Sequence, residues 1–168
     1  IQRYSTRIAS HLVKSGCKAI VVACNSASSN ALQAIISKVG PTIPVIDMVT
    51  PVVKALSQSL THSCQVGLIG TRATISSGLY NRCFKELSSN VELISKATPL
   101  LASAIEEGFF NDSIPQAVLD AYFTDDSFKT IDSIILGCTH YPLVKNEVRN
   151  LLPNGVNVID SPLIVAEE

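Results

Sequence analysis

Apolar positions in this chain alternate between short continuous runs and helix-spaced stripes. Residues 18–23 (KAIVVA) form a run rich in β-branched side chains, the pattern of a strand buried on both faces. Residues 44–47, 65–69, 91–94, 133–136 and 156–159 read as further strands. Residues 1–14 set Ile8, Leu12 and Val13 against Arg3, Arg7 and Lys14, which predicts an amphipathic helix stopped at Ser15-Gly16. Other helices are predicted over 27–38, from Thr50-Pro51 onward, and from the loop 70–74 to about Leu87. The pattern continues with helices over 99–107, ending at Gly108, over 113–123, entered through Asn111, Asp112 or Ser113, and over 141–152.

Strands that alternate with helices argue for an α/β fold with mostly parallel sheets flanked by helices. The stretch 57–64 (SQSLTHSC) is polar and divides the pattern in two. The expected organisation is therefore two small domains. Residues 1–61 form part of a first α/β domain, residues 62–159 a second, and residues 160–168 return toward the first.

Composition narrows the function classes. Of 168 residues, 46% are hydrophobic and 16% charged, so the chain can bury a core and disorder is not expected. The formal net charge of −1 and the absence of a basic stripe argue against nucleic acid as the partner. No apolar run is long enough to span a bilayer and no secretory signal is visible, which points away from a membrane and to the cytoplasm. The five cysteines, Cys17, Cys24, Cys64, Cys83 and Cys138, show no C-x-x-C pair or zinc-finger spacing, so no metal site is expected.

In open parallel sheets ligands bind beyond the carboxyl ends of the strands. Three polar turns occupy that position: Cys24-Asn25-Ser26, Gly70–Thr74 and Gly137-Cys138-Thr139-His140. Each leads into a helix, whose N-terminus suits a carboxylate and is expected to lower the pKa of a thiol there. Cys24 and Cys138 share this niche, whereas Cys17, Cys64 and Cys83 read as packing thiols. His140, two residues past Cys138, is by itself a surface or capping histidine; beside a thiol it can hold or receive a proton. Glu106 and Glu107 at a helix end read as a solvated face, and Thr71 and Thr74 as helix caps or ligand contacts.

These turns carry a resemblance. The segment VVACNSAS (residues 21–28) resembles the first cysteine motif of the glutamate racemases, and LGCTHYPL (136–143) their second. GLIGTRATISSGLY (67–80) is similar to their threonine-bearing loop and PLLASAIEEG (99–108) to their acidic segment. The resemblance implies an isomerase with its active site between two domains, interconverting L- and D-glutamate without a cofactor. It implies a cytoplasmic role in supplying D-glutamate for peptidoglycan, and hence in cell wall biogenesis and cell shape. It leaves a homodimer open. By correspondence, Cys24 takes the α-proton from D-glutamate and Cys138 from L-glutamate. His140 assists Cys138, Glu106 pairs with His140, and Asn25, Ser26, Thr71, Thr74 and Thr139 bind substrate. Ser26 stands where threonine is more usual and keeps the hydroxyl. The family's N-terminal strand with its Asp-Ser pair, a second N-terminal substrate loop and the last helices of the first domain have no counterpart in this sequence, so a longer protein is expected.

Two thiols suit such chemistry because inversion needs a base on one face of Cα and an acid on the other, exchanging roles each turnover. Rival readings are an aspartate or related amino-acid racemase, a cysteine hydrolase or acyl-transferase using Cys138 with His140, and a non-catalytic binding module.

Overall fold

The computed structural model describes residues 1–60, 62–87, 90–111 and 113–168. All strand pairs are parallel. β1 (Ile20–Val22) and β2 (Val45–Asp47) make a two-stranded sheet, while β3 (Cys64–Gly70), β4 (Val91–Ala97), β5 (Ser133–Gly137) and β6 (Asn157–Ile159) make a four-stranded sheet of order β4-β3-β5-β6. Helices flank both: α1 (Gln2–Lys14), α2 (Asn25–Val39), α3 (Thr50–Ser59), α4 (Arg72–Ser77), α5 (Leu79–Leu87), α6 (Pro99–Glu106), α7 (Ile114–Tyr122), α8 (Lys145–Leu151) and α9 (Ser161–Ala166). No helix among the described residues is long and apolar enough to cross a membrane.

The four-stranded sheet is covered on both faces. Ile69, Ile134 and Leu136 pack with Leu101, Leu119, Tyr141 and Val148, whereas Leu68 and Ile135 pack with Val52, Tyr80 and Phe84. Alternation along β3 and β5 thus feeds two cores, which is why these strands read as continuous apolar runs. α3 shares the second core through Val52, Val53 and Leu56, with Val49 just before it.

The two-stranded sheet departs from expectation. A small core joins α1 and α2 to Ile20 and Val22, but Val21, on the opposite face of β1, is 56% exposed. α1 buries Ala9 and half-buries Val13, leaving Ile8 and Leu12 exposed. The run 18–23 is therefore covered on one face only, because both neighbouring helices pack on the Ile20–Val22 side.

Two predicted helices are also divided. The one expected to reach Leu87 breaks at Gly78, whose φ of 65° is left-handed and terminates α4 before α5 begins. The one expected over 141–152 starts as a 3-10 turn, Tyr141–Val144, and becomes α-helical only at Lys145. Ser113 precedes α7 without a side-chain cap bond. Asp112 and the side chain of Asn111, the other expected caps, lie outside the described residues, as does Thr61 in the polar stretch 57–64.

Strand register aligns the carboxyl ends. Gly70 pairs with Gly137 and with Ala97, so the residues that follow, Thr71 and Cys138, leave the sheet side by side. In the smaller sheet Val22 pairs with Asp47, and Cys24 follows two residues later.

Candidate active site

Cys24 is the extended residue that precedes α2, with φ −136° and ψ 119°. Its N–H donates to the Val22 carbonyl (2.8 Å) and its own carbonyl accepts from Ser28 N–H (2.8 Å), the first bond of the helix. Ser28 ties this turn to β2: its hydroxyl donates to the Val22 carbonyl (2.9 Å) and accepts from Met48 N–H (3.1 Å). The loop is thereby fixed while the Cys24 side chain stays exposed.

Cys138 is buried, 7% exposed, one residue past β5. Its Sγ lies 3.6 Å from His140 Nδ1, and His140 Nε2 lies 3.2 Å from Glu106 Oε1. Cys138, His140 and Glu106 thus form a chain running from the buried thiol to solvent. The start of α8 does not lower this thiol's pKa as expected. Burial is the largest influence and pushes it up, with charge on Cys24 and on Glu106 adding to the rise; the N–H groups of His140 and Tyr141 oppose it. The N–H groups at the start of the turn thus act in the expected direction, and burial outweighs them.

A hydroxyl cluster bridges the two sheets. Ser26 Oγ lies 2.7 Å from Thr71 Oγ1 and 3.3 Å from Thr74 Oγ1, and the two threonine oxygens lie 3.1 Å apart. Thr71 caps α4 by accepting from Thr74 N–H (3.2 Å), so the capping reading and the cluster reading hold together. Asn30 Nδ2 donates to the carbonyls of Ser26 and Ala73, 2.9 Å each. Thr139 is half-buried beside Cys138.

Asn25 is 2% exposed. Its Oδ1 accepts from the Tyr80 hydroxyl at 2.7 Å, while its Nδ2 is buried with no hydrogen-bond partner among the described residues. A buried amide donor without a partner costs roughly 1–3 kcal/mol unless something accepts from it. Tyr80, Ser28, Thr98 and the hydroxyl of Tyr141 were not singled out by the sequence. Tyr141 donates to the Thr98 carbonyl (2.9 Å), and Thr98 N–H donates to Gly70 O (2.8 Å), which ties the Cys138 turn to β3. The available signal was the placement of Tyr80 and Phe84 four apart on one helix face, since a buried tyrosine must satisfy its hydroxyl.

The difference between the two thiols is measurable. Near neutral pH iodoacetamide is expected to modify exposed Cys24 at least about tenfold faster than buried Cys138, read by mass spectrometry of tryptic peptides. Equal rates would contradict this burial pattern.

A sequence model of the Asp/Glu/hydantoin racemase family matches residues 3–168. The chain is 44% identical to the glutamate racemase of Aquifex aeolicus, over 99% of this chain and 63% of that protein. It is 40% identical to that of Sulfurihydrogenibium sp., again over 99% and 63%. The crystal structure of Francisella tularensis glutamate racemase in complex with D-glutamate superposes with a TM-score of 0.89 at 33% identity, covering 99% of this chain and 60% of that one. The chain therefore spans less than two thirds of the length of these relatives.

Proposed function

This chain belongs to the Asp/Glu/hydantoin racemase family, and from that premise we propose that its protein interconverts L- and D-glutamate, with Cys24 and Cys138 as the two proton-transferring groups. The observation that carries the reading is the placement of these thiols just past the carboxyl ends of strands in two parallel sheets, with His140 and Glu106 behind the buried one.

In the D-to-L direction the Cys24 thiolate takes the proton from Cα and the Cys138 thiol delivers one to the opposite face. The pair ends as a Cys24 thiol and a Cys138 thiolate, which His140 stabilises and can reprotonate at Nδ1. The reverse direction exchanges the roles. Burial keeps Cys138 protonated in the waiting state, which suits an acid. The developing charge and the substrate carboxylates are stabilised by fixed donors rather than by water: the first N–H groups of α2, the free Nδ2 of Asn25, and the hydroxyls of Ser26, Thr71, Thr74 and Thr139. Residues 1–46 carry Arg3, Arg7, Lys14, Lys18 and Lys38 and no carboxylate, an imbalance that favours an anionic ligand near α2.

In this reading residues 1–61 are part of a first α/β domain, residues 62–159 are a second, and residues 160–168 return toward the first. The site lies between them, where closure excludes water. The protein works in the cytoplasm and supplies D-glutamate for peptidoglycan. Glutamate rather than aspartate is supported by His140 and by the relatives named above.

The test is α-proton exchange of D- and L-glutamate in deuterated water, followed by proton NMR on the full-length protein. Exchange from both enantiomers with interconversion supports the reading. No exchange with glutamate but exchange with aspartate would move the substrate, and exchange with neither would overturn the racemase reading.

A further inference from the structure

We propose that Tyr80 is a positioning residue that fixes which end of the Asn25 amide faces the substrate, making Asn25 a hydrogen-bond donor to a substrate oxygen. This rests on the reading that Asn25 contacts substrate, and it assigns a role to a side chain in the other half of the molecule.

An asparagine amide can be turned over with little change of shape, and only its partners decide which end points where. Here the choice is set on one side. Tyr80 is 1% exposed, in a core with Phe84, Val52 and Leu68, so its ring cannot swing away. Its hydroxyl lies 2.7 Å from Asn25 Oδ1, and the next acceptor, the Met48 carbonyl, is at 3.5 Å. Turning the amide over would place Nδ2 against the phenol oxygen and leave the phenol proton only that longer contact, at the limit of a hydrogen bond. The observed orientation therefore gives the better bond and directs Nδ2 away from Tyr80. Burial, with Asp47 and Cys83 adding to it, raises the Tyr80 pKa, so the hydroxyl keeps its proton near neutral pH and remains a donor.

The consequence is chemical. Asn25 is the first residue of α2, next to Cys24. With Oδ1 turned toward Tyr80, the unpartnered end of the amide is its N–H pair, which bonds a carboxylate oxygen and gives nothing to an ammonium group. Tyr80 thereby selects for the acidic end of an amino acid at this position, and it does so from α5, through the turn on which Cys24 sits.

Three variants of the full-length protein test this: Tyr80→Phe, Asn25→Ala and the double variant. Tyr80→Phe keeps the ring that fills the core and removes the hydroxyl. It is expected to raise KM for glutamate about tenfold while lowering kcat much less, the signature of a lost contact made in ground and transition states alike. In the Asn25→Ala background the same change is expected to leave KM where Asn25→Ala put it, because the effect passes through the amide. An equal rise in both backgrounds, or no rise in either, would overturn the proposal. The Asn25 side-chain 13Cγ resonance, read without substrate, separates this from the choice of substrate. It is expected to shift upfield in Tyr80→Phe as the carbonyl loses its donor, whichever amino acid is turned over. An unmoved resonance overturns the proposal even if glutamate is the substrate, whereas a shifted resonance without glutamate turnover leaves Tyr80 in place and removes only the glutamate reading.

Discussion

Serine in place of Cys138 is expected to lower glutamate racemisation about a thousandfold, within the range by which a positioned acid or base accelerates proton transfer. Serine in place of Cys24 should do the same. The hydroxyl is a far weaker acid than a thiol, so it neither holds a stable anion in the resting pair nor delivers a proton at a useful rate. The two variants should differ in what they retain. With Cys138 replaced, Cys24 can still remove and return the α-proton on its own face, so slow deuterium wash-in survives for D-glutamate and is lost for L-glutamate. With Cys24 replaced, the surviving exchange is from L-glutamate, with Cys138, His140 and Glu106 intact. Proton NMR in deuterated water reads both at once. Either variant racemising at near-normal rate would sink the two-thiol mechanism. So would exchange surviving for both enantiomers in one variant, since a single group would then be serving both faces.

The asymmetry of that pair was only half legible in the sequence. Both cysteines could be placed at strand ends, because an apolar run followed by a polar turn marks the carboxyl edge of a parallel sheet. Their difference could not, since it depends on what covers each one. Cys138 is buried and its thiol is pushed up in pKa. Cys24 is exposed, as is Val21 on β1 just before it. The acidifying effect expected at the Cys138 turn is outweighed by burial, which local sequence does not show. The helix predicted over 141–152 opens as a 3-10 segment, and the α-helix begins at Lys145. The central strands of the four-stranded sheet were the easiest part to read, since β3 and β5, buried on both faces, stand out as continuous apolar runs. The break at Gly78 was missed because a glycine within a helical stripe is compatible with continuation. The tie between Tyr80 and Asn25 joins residues 55 apart in sequence, and no local pattern encodes such a pair.

In the hydroxyl cluster a local capping rule and the proposed substrate contacts fall on the same residues. Thr71 caps α4, the commonest use of a threonine at that position, and the same oxygen faces Ser26 across the gap between the sheets. The cap holds the Thr71 side chain in one rotamer, and the register that pairs Gly70 with Gly137 puts it beside Cys138. In the function proposed above, a substrate carboxylate entering this cluster would meet hydroxyls already oriented by the fold, leaving little ordering to be done on binding.

Alanine in place of Gly137 is expected to damage stability and activity together, for a single geometric reason. Gly137 is the last residue of β5 and pairs with Gly70 of β3. A Cβ on it would lie 2.8 Å from the Ile69 carbonyl oxygen and 2.8 Å from Leu68 Cδ1. The leucine methyl can move, but the carbonyl belongs to the central strand and cannot yield without spreading the ladder. Such overpacking costs about 1–3 kcal/mol, or a fall in Tm of roughly 2–10 °C for a chain of this size. The strand can relieve the clash only by shifting its carboxyl end, and the next residue is Cys138. A misplacement of about 1 Å at a reacting group lowers turnover about a hundredfold, so the loss of kcat should exceed anything the stability change explains. Gly155→Ala is the control. That glycine has φ 95° and open space around its Cβ position, so alanine there costs about 1–2 kcal/mol of backbone strain without moving Cys138. Thermal denaturation and racemisation measured on both should separate them: Gly155→Ala loses Tm and keeps its rate when assayed well below Tm, and Gly137→Ala loses both. Normal turnover in Gly137→Ala would mean that the thiol's position does not depend on the close approach of β3 and β5.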